Sequence, residues 1–377
     1  MHCKEHLQYI RTVRKYERLA VSRSRLFRLF ALALTAFVVY LLFSRLTLAD
    51  EGNWAYRAAA SVIPYMVMKY VSIIEAFFLV FLLSECRFNA FDDESYSDVF
   101  LNHPPSNADY YLGKIWGYMQ LFCRLNLFLL LLTLVFNLTA RQALVDVVPY
   151  VVYGVLYTVP MLLFVLGLST CIMLRIRHAS VVMLLVPGLL ATMFLLSRQP
   201  SYAWLDFSAF HVPVFHSSMA GWIRPERFLV SRIVYLCIGL ALCCLAVGLV
   251  PRRSGYRERP AALACCLMFL LLAASGIGYH VLQRHADQSY RDEMIALNDA
   301  CTDTPLWQIH DYRMDIRQQK KQLEVKVCMT GTALEEARTF AFCLNPGLQI
   351  DAVEDANGRP LPFTRREQML LVDFPTV

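Results

Sequence analysis

The dipeptide Gly113-Lys114 stands at the start of a long apolar segment and raises the question of phosphate binding. A phosphate-binding loop needs Gly, four residues, Gly-Lys and then Ser or Thr, because its amides cradle the phosphates and its hydroxyl binds Mg²⁺. Here Ala108 occupies the position of the first glycine, Ile115 occupies that of the hydroxyl, and no strand pattern precedes the dipeptide. The chain is therefore not expected to bind ATP.

Other catalytic and metal-binding patterns are also absent from the sequence. It contains no GxSxG and no HExxH, and the pair Glu5-His6 lacks the second histidine of a zinc site. Most of the 12 cysteines lie inside apolar blocks, where they act as small hydrophobes, and none has CxxC spacing. We expect no catalytic residue, no metal and no cofactor, and the apolar blocks offer no paired carboxylates for an intramembrane enzyme.

The composition indicates a membrane protein. The 377 residues are 57% hydrophobic with a mean hydropathy of +0.43, and only 18% are charged. The apolar residues form blocks of about 20 residues, the length that crosses a bilayer as helix. The net charge of +6 comes from basic residues beside these blocks, so no nucleic-acid partner is expected and the lipid bilayer is the surrounding medium.

The predicted fold class is an α-helical polytopic membrane protein: a six-span core and a seventh span, followed by a small, incomplete β-sheet domain. The span at 179–197 is the weakest of these predictions, because it is short and contains Pro187-Gly188. The predicted spans are 26–48, 60–84, 114–138, 148–174, 179–197, 229–250 and 261–282.

Lys and Arg in the short flanks predict the orientation. If the N-terminus is cytoplasmic, most of these basic residues lie on the cytoplasmic side, as expected for the inner membrane. The predicted domains are a cytoplasmic segment 1–25, a core 26–250, a basic loop with the seventh span at 251–282, and an extracytoplasmic tail 283–377. If 179–197 does not cross the membrane, the tail lies in the cytoplasm instead.

The first 25 residues form a basic amphipathic helix. Leu7, Ile10 and Val13 recur at helical spacing, while Arg11 and Arg14 occupy the other faces. Such a helix lies in the headgroup plane, and a simple positive anchor or a helix that contacts a partner would give the same pattern.

The predicted cytoplasmic loop 85–113 is acidic and ends in helix signals. Pro104-Pro105 stops a short helix within the loop, and Ser106 with Asp109 three positions later predicts a capping box. The next helix therefore begins just after Ser106, and Lys114, where the predicted span 114–138 starts, marks the inner edge of the membrane.

Two ionisable residues lie deep in neighbouring spans. Glu75 and Arg124 each lie about 14 Å from the inner ends of their spans, so we predict an intramembrane ion pair between them. A structural role is favoured over a gating or substrate role. Lys69 and Arg232 are expected to extend to the outer interface.

The predicted outer loop 198–228 is rich in aromatic residues. Among them are Tyr202, Trp204, Phe207, Phe210 and Trp222. An aromatic belt at the membrane interface explains most of this composition. A cap that gates a substrate path is the alternative.

The tail has strand patterns. Short runs of Val, Ile, Leu and Phe alternate with polar residues, and Asn357-Gly358 predicts a turn. We predict about five strands in one small sheet that the pattern leaves incomplete. Cys301, Cys328 and Cys343 allow one disulfide, with one thiol left over.

The segment "ECRFNAFDDESYSDVFLNHPPSNADYYLGKIWG", with the spans around it, resembles permease subunits of type 2, exporter-class ABC transporters. In that family the loop after the second span ends in Leu and Pro, then Ser/Thr, then Tyr-Leu-Gly-Lys, and forms a coupling helix that contacts the ATPase subunit. "NAFDDESYSD" replaces the family's usual Arg/Glu-Gly-Thr run. The resemblance implies an ATPase-coupling loop with the residues Glu85, Arg87, Asp92, Asp93, Asp98, Leu101, Pro104, Pro105, Ser106, Gly113 and Lys114.

The tail resembles the opening β-domain of zinc aminopeptidases, which are fused to some bacterial permeases of this class. "LEVKVCMTG", "FAFCLNPGLQIDAVEDANGRPLPF" and "MLLVDF" carry this second resemblance. The catalytic HExxH domain is not in the sequence, so no peptidase activity is expected, and the chain would be the front part of such a fusion.

Two functions follow from these predictions. The first is a permease that moves an unidentified substrate, with a cytoplasmic ABC ATPase and a second permease copy or half as partners. The second is a membrane-anchored extracytoplasmic binding or sensor protein without transport activity. Seven spans are many for an anchor, which favours the permease.

Overall fold

The structure is a computed structural model that describes most of the chain. The described residues are 2–47, 61–85, 106–140, 146–176, 178–217, 221–223, 225–249, 259–300, 305, 307–319 and 322–375. They divide into two compact units, Met1–His280 and Val281–Val377.

Eight α-helices account for most of the described residues. Their lengths follow the apolar runs of the sequence, since a helix satisfies its backbone hydrogen bonds internally. The helices are α1 (His2–Arg23), α2 (Arg25–Thr47), α3 (Val62–Glu85), α4 (Asn107–Ala140), α5 (Val148–Arg175), α6 (Ala179–Leu196), α7 (Glu226–Leu249) and α8 (Arg259–Ala300).

Six of these helices are long and apolar enough to cross a membrane: α2, α3, α4, α5, α7 and α8. They confirm six of the seven predicted spans as helices of sufficient length, and they indicate a membrane-embedded protein. Helix α6 covers the remaining predicted span with only 18 residues, and the structure does not confirm it as a seventh. Helix α4 begins at Asn107, directly after the predicted cap at Ser106, and its 34 residues include the predicted span 114–138.

Glycine residues allow a close approach of α5 and α7 within the bundle. A Cβ atom added at Gly239 would lie 2.7 Å from the amide nitrogen of Phe164. One added at Gly167 would lie 2.7 Å from the Cβ of Leu242. Small residues are the usual means by which membrane helices gain contact, because no water is expelled between them.

The outer faces of the long helices are apolar. On α4 the exposed side chains include Leu127, Phe128, Leu131 and Val135. The buried core of the bundle holds Leu79, Tyr118, Leu162, Val186 and Tyr235. A bundle that is apolar inside and outside fits a lipid environment.

The segment after α6 packs into the bundle instead of lying on its surface. A short 3₁₀ helix (Pro200–Leu205) leads into Asp206, Phe207 and Ser208, all of which are almost fully buried. The Asp206 carboxylate accepts hydrogen bonds from the amides of Phe210 (2.9 Å) and His211 (2.6 Å). It therefore fixes a tight turn inside the protein.

Arg232 of α7 holds this turn in place. Its guanidinium donates to the carbonyl oxygens of Phe207 (2.9 Å) and Asp206 (2.8 Å) and to the Ser231 hydroxyl (3.0 Å). Arg232 is 1% exposed, so the expectation that it extends to the outer interface is wrong. The buried carbonyl oxygens need a hydrogen-bond donor, and meeting that need stabilises the protein more than placing the guanidinium in water would.

The aromatic residues of this region divide between the two interpretations of the sequence. Phe207 is fully buried against Phe164, with ring centroids 5.9 Å apart, and Trp222 packs on Tyr153 at 5.5 Å. Tyr202 and Trp204 are exposed and fit an interfacial belt. The segment 206–211, which holds Phe207, is instead packed into the bundle, and we call it the plug.

Strands form two small sheets in the second unit. A hairpin pairs β3 (Trp307–Gln319) with β4 (Gln322–Ala333). A separate three-stranded antiparallel sheet has the order β5-β7-β6, with β5 at Thr339–Cys343, β6 at Phe363–Arg366 and β7 at Met369–Asp373. The predicted five strands are therefore present in 305–375, but in two sheets instead of one. In the first unit, β1 (Phe215–Ser217) pairs with β2 (Gly221–Ile223).

Local predictions for the tail have mixed outcomes. Gly358 has a φ of +76° in a turn where the Asp355 carboxylate accepts from the Asn357 amide at 2.8 Å, which confirms the predicted turn. Cys328 and Cys343 are free thiols. Cys301, the third cysteine of the tail, lies outside the described residues.

Replacement of Arg232 by Met is expected to destabilise the first unit by about 1–3 kcal/mol, because the buried carbonyl oxygen of Phe207 loses its donor and that of Asp206 keeps only the Ala209 amide. Thermal unfolding of the full chain in detergent measures the loss, and proteolysis should cut faster within 197–217. Arg124→Met is the matched control, since Arg124 is exposed and makes no hydrogen bond or ion pair with any described residue. Equal melting temperatures for the two variants would contradict the assigned role of Arg232.

Candidate functional site

Helix α4 begins with the reciprocal cap that the sequence predicts. The Ser106 hydroxyl accepts a hydrogen bond from the Asp109 amide (3.1 Å), and the Asp109 carboxylate accepts one from the Ser106 amide (3.3 Å). The capping box satisfies backbone groups that have no partner in the first turn. It fixes where the acidic loop ends and the helix starts.

Helix α1 packs directly on the first turns of α4, through a face that carries two glycines. A Cβ atom added at Gly113 would lie 2.7 Å from the Cβ of Val13. One added at Gly117 would lie 3.2 Å from the carbonyl oxygen of Arg14. Because the two glycines are four residues apart, they lie on one face of α4 and let the two backbones approach.

Charged and polar side chains tie the two helices together on either side of the glycines. Lys114 is buried, and its Nζ lies 3.3 Å from Glu17 Oε1 and 4.9 Å from the centre of the Tyr110 ring. His6 Nδ1 lies 2.5 Å from Asp109 Oδ2. Lys114 therefore serves in the contact between helices and is not available to a nucleotide.

The paired positions show that α1 runs parallel to α4. His6 contacts Asp109, Val13 faces Gly113, and Arg18 Nη1 donates to Gln120 Oε1 at 3.2 Å. The contacts extend over 12 residues of α1, about 18 Å of helix. Helix α1 thus packs on α4 of its own chain, while the interfacial helix, the anchor and the helix that contacts a partner stay predictions.

The outer face of α1 remains basic. Arg11, Lys15 and Tyr16 are exposed, and with Arg14 and Arg18 they line an open concavity of about 430 Å³. The Arg14 guanidinium lies 4.8 Å from the centre of the Trp116 ring on α4. The junction thus presents a positively charged surface while its inner face is packed.

Of the predicted coupling residues, the structure places those at the two ends of the loop. Glu85 is the exposed last residue of α3. Ser106, Gly113 and Lys114 lie together in the first turns of α4. The other predicted residues lie outside the described part of the chain: Arg87, Asp92, Asp93, Asp98, Leu101, Pro104 and Pro105.

Glu75 lies at the centre of the bundle without the predicted partner. It is fully buried, and its Oε2 accepts a hydrogen bond of 2.9 Å from the Asn126 amide group. The same amide group donates to Thr158 Oγ1 at 2.9 Å. Arg124 is exposed, so the predicted ion pair between Glu75 and Arg124 is corrected to a hydrogen bond between Glu75 and Asn126.

The sequence analysis did not single out Asn126 and Thr158. Both are uncharged polar residues within long apolar helices, which is the signal that could have found them. Glu75, Asn126 and Thr158 thus form one polar cluster where α3, α4 and α5 meet. Glu75 Oε1 and Asn126 Oδ1 are buried and have no hydrogen-bond partner among the described residues.

The variant Gly113→Ala should destabilise the junction by about 1–3 kcal/mol, because the added Cβ overlaps Val13 and an overpacked contact must shift. Trypsin cleavage at Arg11 and Lys15 should become faster as α1 separates from α4. Gly278→Ala is the matched control, since nothing lies within 4 Å of a Cβ at that position. There the better helix propensity of Ala should raise stability slightly. If Gly113→Ala protects α1 as well as wild type does, the packing described here does not hold in solution.

Similarity to known proteins does not add to this geometry. The chain matches no protein-family model, no curated protein and no solved structure. The contacts of the described residues therefore carry the functional conclusions by themselves.

Proposed function

We propose that the chain is the transmembrane permease subunit of a type 2, exporter-class ABC transporter. A separate cytoplasmic subunit hydrolyses ATP, and a second permease copy or half completes the transport unit. The six long apolar helices support the membrane location. The observation that carries the proposal is the α1–α4 junction, which follows directly on the acidic loop 85–113 and joins α1 to the start of α4.

The junction gives this loop a mechanical connection to the bundle. The loop follows α3 at Glu85 and ends at Ser106, the cap of α4. A force that the ATPase exerts on the loop would reach α4 at its first turn. Helix α1 would move with α4, because close packing and the pair of Lys114 with Glu17 join them.

Helix α3 extends from the loop to the plug. Near its start, Lys69 Nζ lies 4.3 Å from the centre of the Phe210 ring, in the segment after α6. At its middle, Glu75 bonds Asn126 of α4. In the proposed mechanism, a shift of α3 relative to α4 changes these contacts and opens the plug, which then acts as the gate of the substrate path.

The alternative function is a membrane-anchored extracytoplasmic binding or sensor protein. The compact second unit, Val281–Val377, favours it, because such a unit can serve as a binding module. This function needs no ATPase and no coupling loop, so the two functions differ in what the acidic loop must do.

Charge reversal of the loop tests the permease function. The triple variant with Asp92, Asp93 and Asp98 changed to Lys should lose co-purification with the ATPase. It should also lose at least about tenfold of its stimulation of ATP hydrolysis, since like charges across an interface cost several kcal/mol. The control reverses Asp292, Asp299 and Asp351, three exposed acidic residues of the second unit. Unchanged complex formation and stimulation in the loop variant would favour the sensor function.

We also propose that α6 crosses the inner membrane and that the tail is extracytoplasmic. The 18 apolar residues of α6 span about 27 Å, within the 17–25 residues that such helices use. With the N-terminus in the cytoplasm, seven crossings place 283–377 outside.

Labelling with a membrane-impermeant maleimide tests this topology, because Cys328 and Cys343 are exposed free thiols. In intact cells the reagent should modify both, and peptide mapping should find the label there. Cys3, on the predicted cytoplasmic side, is the internal reference and should react only after permeabilisation. If Cys328 and Cys343 also require permeabilisation, α6 does not cross and the tail is cytoplasmic.

A further inference from the structure

The β3–β4 hairpin has two faces of opposite character. Directly opposed residues of an antiparallel pair point to the same side, and successive residues alternate. Tyr312 is opposite Met329, Met314 is opposite Val327, and Ile316 is opposite Val325. One face is therefore apolar along most of the hairpin: Tyr312, Met314, Ile316, Leu323, Val325, Val327 and Met329.

This apolar face is uncovered. Its seven side chains are each 40–58% exposed. Residues of this size have a surface of about 150–250 Å² each, so the face presents roughly 600 Å² of accessible area. A continuous apolar patch of a few hundred Å² marks an interaction site, and a stable protein interface buries about 800 Å² on each partner. The face is thus close to the size that a specific dimer needs.

The opposite face carries balanced charge. Asp315 is opposite Lys326, and Arg317 is opposite Glu324. Arg313 Nε also lies 3.0 Å from the carboxylate of Asp311 on the same strand. On this face three basic and three acidic described side chains balance one another, and Lys320 and Lys321, which join the two strands, lie outside the described residues. Because the charges of this face pair with one another, the apolar face is the one left for a partner.

The base of the hairpin is fixed to the rest of the second unit. The Trp307 ring stacks on Phe374 with centroids 5.0 Å apart, and meets Phe340 edge-on at 5.3 Å. The apolar face lies beyond this aromatic cluster along the strands. A two-stranded hairpin is only marginally stable by itself, so a cover on its apolar face would stabilise it.

We propose that the apolar face of the β3–β4 hairpin binds the same face of a second copy of the chain. Two such faces stack as two sheets about 10 Å apart, related by a twofold axis, and each covers the other. A second copy in the same membrane presents its hairpin on the same side, which raises the local concentration of this partner. The inference deepens the proposed function, because it assigns a contact surface to the second permease copy.

Photo-crosslinking in native membrane vesicles tests this contact. The full chain carries p-benzoylphenylalanine in place of Tyr312, and two differently tagged copies are co-expressed. Illumination should give a covalent dimer that contains both tags, and mass spectrometry should find the crosslink within 307–333 of the other copy. The matched control carries the same group in place of Arg313, on the charged face, and should give several-fold less dimer. Met314→Lys, added to the chain that carries p-benzoylphenylalanine in place of Tyr312, should reduce the dimer yield to the level of that control.

The contrary outcomes are distinct. Equal dimer yields from the two positions, or a crosslink from Tyr312 only to lipid, to another protein or within its own chain, would overturn the inference. Such a result leaves the proposed function standing if the ATPase still co-purifies. A specific crosslink without any bound ATPase would keep the hairpin contact and remove the permease function.

Discussion

The cost of enclosing polar groups in an apolar bundle governs the first unit of this protein. Arg232 is almost fully buried, and its guanidinium bonds two backbone carbonyls and one hydroxyl. The Asp206 carbonyl also accepts from the Ala209 amide at 3.2 Å, whereas Arg232 supplies the donor to the Phe207 carbonyl, which in an apolar medium would otherwise cost several kcal/mol. The buried arginine and the buried turn thus require each other, and the segment after α6 can enter the bundle only because α7 carries this residue.

Close approach of helices is the second constraint, and glycine meets it at several helix pairs. Gly167 and Gly239 bring α5 against α7, while Gly113 and Gly117 bring α1 against α4. In lipid, apolar contact between helices brings no release of water, so packing and internal polar pairs have to hold them together. The pair of Lys114 with Glu17 adds to the glycine contact in this way, and the result is a paired unit of two parallel helices.

The sequence predicts positions along the chain better than it predicts which side chains meet. Apolar runs and the Ser106–Asp109 cap locate helices because both are local patterns, and alternation locates the strands for the same reason. Counting residues from the ends of the spans also predicts depth in the membrane, and it puts Glu75 and Arg124 at one level. The rotation of a helix about its own axis does not follow from such a count. Asn126 lies about 200° around α4 from Arg124, and it is Asn126 that faces Glu75 in the structure. The contact of α1 with α4 joins residues about 100 positions apart, which no local pattern encodes.

The polar cluster at Glu75 is incompletely satisfied, because Glu75 Oε1 and Asn126 Oδ1 are two acceptors without a donor among the described residues. It shares this property with Arg232, whose Nε is buried and has no acceptor among the same residues. The Asn126 amide group links polar side chains of α3, α4 and α5, and apolar packing among the same helices supplies the rest of their contact. The loop 85–113 connects α3 and α4 along the chain. In the proposed mechanism a force on this loop would therefore act on the two helices that meet at Glu75.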